Sequence, residues 1–337
     1  VAAETPQLGA ALRAALSRLY YRRGDYAVGL SLALAGAEAA LRCGDRRAQA
    51  ACLANAGSCH SAEGRWEQAR TCFEQALEIA RADGVAIEEA AALNNLGIVA
   101  KKEGRYQDAI ALYTRAIAIE RDLGHQAAIV RCLNNIGGLH MERDEWALGR
   151  QAMAEGLQLC ERYGLEGSIP NLAFGVGAAM LELGDLDGAE RHLQRALDSS
   201  RHTGIPVVAL FAEANLGRVA ARGRRFAEAI ERLRGAARSA RERGWINESL
   251  QCALFYGECL REAGRRLDAA LVWRMIDAHP QAEAGLRASA RRWSEALALT
   301  PEQCSRSDGD PVTLAAVIDR LLSDRALAND PPAADSC

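Results

Sequence analysis

Apolar residues along the chain recur three and four positions apart, as in Ala90–Lys102 and Tyr106–Leu123, and nowhere sustain a period of two. That spacing predicts amphipathic α-helices and no β-strands. Glycines punctuate the helices at fixed intervals. Gly57, Gly97, Gly137, Gly177, Gly217 and Gly257 stand forty residues apart. A second column, Gly24, Gly64, Gly104, Gly184 and Gly264, is broken by Asp144 and Arg224. A third is Gly44, Gly84, Gly124, Gly164, Gly204 and Gly244. The pattern is an internal repeat of two helices, each of about fifteen residues, joined by short turns. The second and third columns fall where helices stop and suit a left-handed C-cap. The first column lies inside a helix, where glycine costs about 1 kcal/mol against alanine, so close approach by a partner helix has to compensate.

Further columns fill the unit. An aromatic stands at Tyr26, Trp66, Tyr106, Trp146 and Phe226, with Leu186 and Arg266 as exceptions, and three residues on comes Gly29, Ala69, Ala109, Gly149, Ala189, Ala229 or Ala269. Asn95-Leu96-Gly97, then Gly104, Tyr106, Ala109, Tyr113, Ala116 and Ile117, resemble the tetratricopeptide repeat signature, and Trp66, Ala69, Phe73, Ala76 and Leu77 repeat it. The resemblance implies an all-α, right-handed superhelical solenoid of antiparallel helix pairs. Its forty-residue period is similar to arrays in kinesin light chain, spindle-orientation adaptors and bacterial signal-responsive regulators. The expected organisation is an array of about seven units over residues 1–280, a capping helix over 281–299, and a short helix with a disordered tail over 300–337. The stretch Ala270–Arg292 also resembles the end of the repeat domain in bacterial multidomain signalling ATPases and transcriptional activators.

The resemblance implies that the first helix of each unit lines the concave surface. One polar column falls there: Asn55, Asn95, Asn135 and Asn215, interrupted by Gly175 and Phe255, with Asn94 and Asn134 beside it. A primary amide both donates and accepts, so a ladder of amides can grip an extended peptide backbone. In related arrays, asparagines of this column contact peptide main chain. The plainer reading is that these amides bond to neighbouring helices. Lys101, Lys102, Arg131, Arg218 and Arg222 flank the ladder and would favour an acidic peptide or a terminal carboxylate. Glu142, Glu182, Glu258 and Glu262 at comparable positions leave that carboxylate-binding pattern incomplete. The expected peptide-binding set is Asn55, Asn94, Asn95, Lys101, Arg131, Asn134, Asn135, Asn215 and Arg218.

Composition narrows the remaining classes. The 337 residues are 49% apolar and carry a net charge of -3, which gives no overall pull toward nucleic acid. The arginine-rich segment Arg218–Arg243 is interrupted by Glu228, Glu231 and Glu242 and has no aromatic platform, so it reads as a solvated helix face. No run approaches eighteen consecutive apolar residues, and the start has no signal-peptide pattern. Among the ten cysteines there is no CxxC or CxxH pair, which points to reduced thiols in a cytoplasmic protein. The six histidines form no metal-ligand spacing, and Gly175-Val176-Gly177 lacks the strand and third glycine of a dinucleotide loop. Cys59-His60 is adjacent in sequence, so on a helix the side chains diverge.

These observations lead to a non-enzymatic scaffold without cofactor or metal that binds a protein or peptide in its groove, contacting neither nucleic acid nor membrane. The rival expectation is an effector-sensing repeat domain whose output module lies outside this chain, consistent with a first residue that is not Met. Oligomeric state is left open by the sequence.

Overall fold

From α2 to α8 and from α10 to α14 twenty residues separate each helix start from the next, and the computed structural model, which describes residues 4–297, turns this rhythm into helical hairpins. The chain divides into two compact units, Val1–Leu165 and Glu166–Cys337. The first holds α1 (Glu4–Arg22), α2 (Tyr26–Cys43), α3 (Arg46–Ala62), α4 (Trp66–Ala82), α5 (Ala86–Lys102), α6 (Tyr106–Asp122), α7 (Gln126–Glu142) and α8 (Trp146–Tyr163). The second begins with a 3-10 turn, Glu166–Ser168. It continues with α9 (Ile169–Glu182), α10 (Leu186–Thr203), α11 (Pro206–Arg222), α12 (Phe226–Glu242), α13 (Ile246–Glu262), α14 (Arg266–Ala278) and α15 (Ala284–Glu295). No strand occurs among the described residues. The fold is an all-α solenoid of the tetratricopeptide-repeat kind. The short helix and tail expected over 300–337 lie outside the described residues.

The glycine columns do the work that their positions suggest. Gly64 and Gly84, which follow α3 and α4, take left-handed φ of 75° and 66°. Asp144 and Arg224, where the second column loses its glycine, keep the same turn at φ of 59° and 58°. The turn geometry therefore belongs to the repeat and is imposed on whichever residue stands there. Inside the helices, a Cβ at Gly57 would lie 2.6 Å from the Phe73 ring, and one at Gly97 would lie 2.6 Å from the Tyr113 ring. Gly137, Gly177, Gly217 and Gly257 face Met153, Leu193, Leu233 and Trp273 in the same way. Each glycine admits the large buried side chain of its own hairpin's second helix, which brings the two backbones together. The first hairpin replaces this pair by Ser17 and Ala33, and the Ser17 hydroxyl donates to the Gly29 carbonyl at 2.7 Å.

Within each unit the first helices of successive hairpins touch one another directly: α1, α3, α5 and α7 in one, α9, α11 and α13 in the other. The second helices splay apart and meet through long side chains, as where Arg121 reaches Glu155 at 2.9 Å. The first helices thus form the crowded inner layer of each unit. At the end of the second unit Trp273 donates from Nε1 to the Leu254 carbonyl at 3.0 Å and meets Trp293 of α15 edge-on at 5.5 Å. Helix α2 has a mean hydropathy of 1.2 over its 18 residues, long and apolar enough to cross a membrane by composition, which a count of consecutive apolar residues did not reveal. Here it packs between α1 and α3.

Candidate functional site

The inner layer of the first unit carries amides. Asn94 on α5 is only 4% exposed. Its Oδ1 accepts from Asn135 Nδ2 of α7 at 3.3 Å and from the Cys132 thiol at 3.4 Å, and its Nδ2 donates to Asn95 Oδ1 at 3.3 Å. Asn94, Asn95 and Asn135 therefore form one chain of hydrogen bonds across two inner helices. Asn95 and Asn135 are half-buried, and so is Asn134, whose amide has no partner among the described residues. Arg131, one turn before Asn135, is exposed and makes no ion pair among the described residues. Gly138 continues this face of α7, and a Cβ there would meet nothing within 4 Å, so the backbone beside the amides is open. Lys101 is drawn to Glu142 of α7 at 2.6 Å and closes one end of the track. Asn55 on α3 spends its Nδ2 on the Ala14 carbonyl of α1 at 2.9 Å, an inter-hairpin bond of the plainer kind.

The inner layer of the second unit is sealed by ions. Arg218 on α11 is 7% exposed, and its Nε donates to Glu258 Oε2 of α13 at 2.6 Å. Its Nη2 donates to Glu182 Oε1 of α9 at 2.7 Å and its Nη1 to Asn215 Oδ1 at 3.1 Å. The guanidinium lies 4.5 Å above the Phe255 ring. Arg222 adds bonds to the same two carboxylates, at 3.0 Å to Glu182 and 2.9 Å to Glu258, and one at 2.6 Å to the Leu181 carbonyl. Asn215 turns its Nδ2 to the Phe211 carbonyl of its own helix at 2.9 Å. Burial alone would raise the Glu258 carboxyl, but Arg218 and Arg222 beside it hold it down at about 2. Burial opposes the Arg218 charge, yet Glu258 and Glu182 keep that arginine firmly protonated.

The structure thus brings Asn94, Asn95 and Asn135 together, with Asn134 and Arg131 on the same two helices. It encloses Asn215 and Arg218 in a network of their own and ties Lys101 and Asn55 to neighbouring helices. Three participants were not among the expected peptide-binding residues. Cys132 joins the amide chain as a thiol donor, and Glu182 and Glu258 complete the arginine cage. The sequence did hold a signal for the cage: Glu182, Arg218 and Glu258 are spaced by nearly one repeat, which places them on adjacent inner helices.

Other chemistry-bearing groups are occupied in packing. Burial pushes the thiols of Cys52 and Cys132 up to about 11, and those of Cys252 and Cys259 up to about 12, which keeps them protonated at neutral pH. Beside Cys59, whose thiol burial also raises, the His60 imidazole is lowered by burial and by Arg65, whose Nε donates to His60 Nδ1 at 3.0 Å. Among the described residues no three His, Cys, Asp or Glu side chains gather as a metal site.

The tetratricopeptide repeat family model matches residues 7–82, 49–122 and 88–140. No curated protein sequence matches the chain. Among solved structures, the apo form of RapI superposes with a TM-score of 0.63 at 12% identity, covering 88% of this chain and 98% of that one. Aspartyl phosphate phosphatase F from Bacillus subtilis superposes with a TM-score of 0.61 at 14% identity, over 90% of this chain and 73% of that one. A signal transduction ATPase with a tetratricopeptide repeat sensor, from Pyrococcus horikoshii, gives 0.65 at 12% identity, over 88% of this chain and 44% of that one. At such identities the likeness is one of fold. The family match identifies residues 7–140 as tetratricopeptide repeats, and the same packing columns run on through Trp273.

Proposed function

We propose that the inner face of α5 and α7 binds an extended segment of a partner protein, its backbone on the amides of Asn95, Asn134 and Asn135 and an acidic group on Arg131. The observation that carries this reading is the contrast between half-buried amides with open hydrogen-bonding capacity and an adjacent arginine without a carboxylate. Unpaired amides at a dry interface are costly, whereas a main-chain ligand satisfies them whatever its side chains. Asn94 sits beneath the site and orients Asn95 and Asn135. Lys101, Asn55, Asn215 and Arg218, held by internal partners, fall outside the contact set. A peptide display selection on the wild-type chain should enrich acidic sequences. The Asn95→Ala/Asn134→Ala/Arg131→Ala variant should bind them at least about tenfold more weakly with stability unchanged to about 0.5 kcal/mol. Selected peptides that bind the variant as tightly as the wild type would sink the proposal.

A second reading is an effector sensor, favoured by the likeness to the repeat sensor of the Pyrococcus ATPase, of which this chain spans less than half. In that case peptide occupancy in the first unit should slow amide exchange in the second. Protection confined to α5 and α7 would speak for a simple binding scaffold.

A further inference from the structure

The splayed side of the second unit holds a cavity of about 490 Å³ between α10 and α12, with the start of α11 as its floor. Residues forty apart occupy equivalent places, so the cavity can be compared with the same place two repeats earlier. There, α6 and α8 are joined by Arg121 Nη2 and Glu155 Oε1 at 2.9 Å. Eighty residues on, the two positions are Arg201 on α10 and Gly235 on α12. The arginine is kept and its carboxylate partner is missing. Gly235 is exposed, and a Cβ there would meet nothing within 4 Å. Glycine weakens a helix interior, and here, unlike at Gly217, no close approach requires it.

The charges around the cavity are left unbalanced by that loss. Among the described residues Arg201 finds only Glu213, at 3.8 Å, and Glu213 is also held by Arg232 at 3.2 Å. Arg232 in turn binds Glu228 at 2.9 Å. Arg243 lies 5.4 Å over the Trp245 ring, and among the described residues it makes no ion pair and the Ser239 hydroxyl in the wall has no partner. Among the residues that line the cavity, Arg201 and Arg243 thus face one carboxylate, Glu213, which Arg232 also holds, leaving one positive charge in excess. Beneath them Leu197, Ile205 and Leu210 present apolar surface.

We propose that this cavity binds a small monocarboxylate with an apolar tail. Its carboxylate sits between Arg201 and Arg243, where the absent glutamate would reach, and accepts a bond from Ser239. Its tail lies on Leu197, Ile205 and Leu210. A cavity of this size, with an apolar floor and a few convergent polar groups, matches the ordinary form of a small-ligand site. The inference is independent of the peptide site on α5 and α7.

Sodium octanoate, 1-octanol and octylammonium chloride, titrated separately into the full chain at neutral pH, provide the test. Octanoate should shift the amide resonances of Gly204, Gly235 and Ser239 saturably, at a concentration at least about tenfold below that needed for octanol, because its carboxylate gains charged hydrogen bonds. Octylammonium should leave them unmoved. Gly235→Glu, which supplies the carboxylate from the chain itself, should abolish the octanoate shifts while retaining wild-type circular dichroism. Arg201→Gln should remove the advantage of octanoate over octanol. Equal shifts by octanoate and octylammonium, undiminished octanoate binding by the folded Gly235→Glu protein, or no saturable shift at all would overturn the proposal.

Discussion

The two units solve the same problem, a crowded inner layer of first helices, with opposite chemistry. In the first unit the layer is finished with neutral amides, some of whose hydrogen-bonding capacity stays open. In the second it is finished with a buried arginine whose donors are nearly all taken by Glu258, Glu182 and Asn215. A neutral amide can be left partly unsatisfied near water at modest cost, so a face built from amides can keep bonds in reserve for a ligand. A buried guanidinium has no such latitude and recruits every available acceptor. The lesson is that one repeat scaffold can hold a surface prepared for exchange and one locked for internal cohesion, and the difference lies one turn beyond the shared asparagine, where Arg218 stands in the place of Gly138.

Four experiments would break or sharpen this contrast. The largest effect should come from Glu258→Ala, which leaves Arg218 buried and short of its closest partner. It should destabilise the second unit by about 3–5 kcal/mol in urea while hydrogen exchange in α5 and α7 stays unchanged. Acid should act on the same network. The Glu258 carboxyl is held near about 2, below its ordinary 4.5, so its contribution is complete above pH about 4.5 and is lost as pH falls toward about 2. Amide exchange in α9, α11 and α13, corrected for intrinsic rates, should rise through that window, whereas the amide chain of the first unit, whose one titratable member is the Cys132 thiol held up at about 11, loses no charge there. Equal acid sensitivity of the two inner layers would remove the distinction.

Next in size are the glycine contacts. Gly97→Ala drives a methyl into the Tyr113 ring and should cost the first unit about 1–3 kcal/mol. Gly217→Ala meets the more adaptable Leu233 side chain at 2.9 Å and should cost less. Thermal melting of the two variants would rank them, and the reverse order would show that backbone approach rather than ring rigidity governs the site. The smallest effect is a gain. Arg224→Gly in the second unit relieves a left-handed arginine and should stabilise it by about 1 kcal/mol. Asp144→Gly in the first should gain less, because aspartate tolerates that conformation better.

The helices, their turns and the tight mid-helix positions were legible in the sequence because each follows from a residue whose backbone demands are nearly unique. Glycine at Gly57 or Gly84 can be read without knowing its surroundings. The partner of the mid-helix glycine was not read. The aromatic column at Trp66 and Tyr106 drew attention, while the residues that fill the gap are Phe73, Tyr113 and their counterparts, variable in type and alike only in bulk. Asp144 and Arg224 show the reverse difficulty, a conformation kept by the repeat after its signature residue is gone. The site residues were harder still. An asparagine looks the same in sequence whether it bonds across helices, as Asn55 does, or stands partly open, as Asn134 does. What separates them is the presence of a free carbonyl within reach, which depends on packing. Arg218 read as a ligand-facing cation because its carboxylates lie a whole repeat away on either side.

That separation has a kinetic consequence. The inter-helix bonds described for both inner layers, from Asn55 to Ala14 and from Arg222 to Leu181, join residues 41 apart. Loop-closure entropy grows only with the logarithm of the segment closed, so each added hairpin faces the same modest search as the one before it. Lengthening such an array by whole forty-residue units should therefore leave its folding rate nearly constant, a property open to repeat duplication and closed to folds that must pair their two ends.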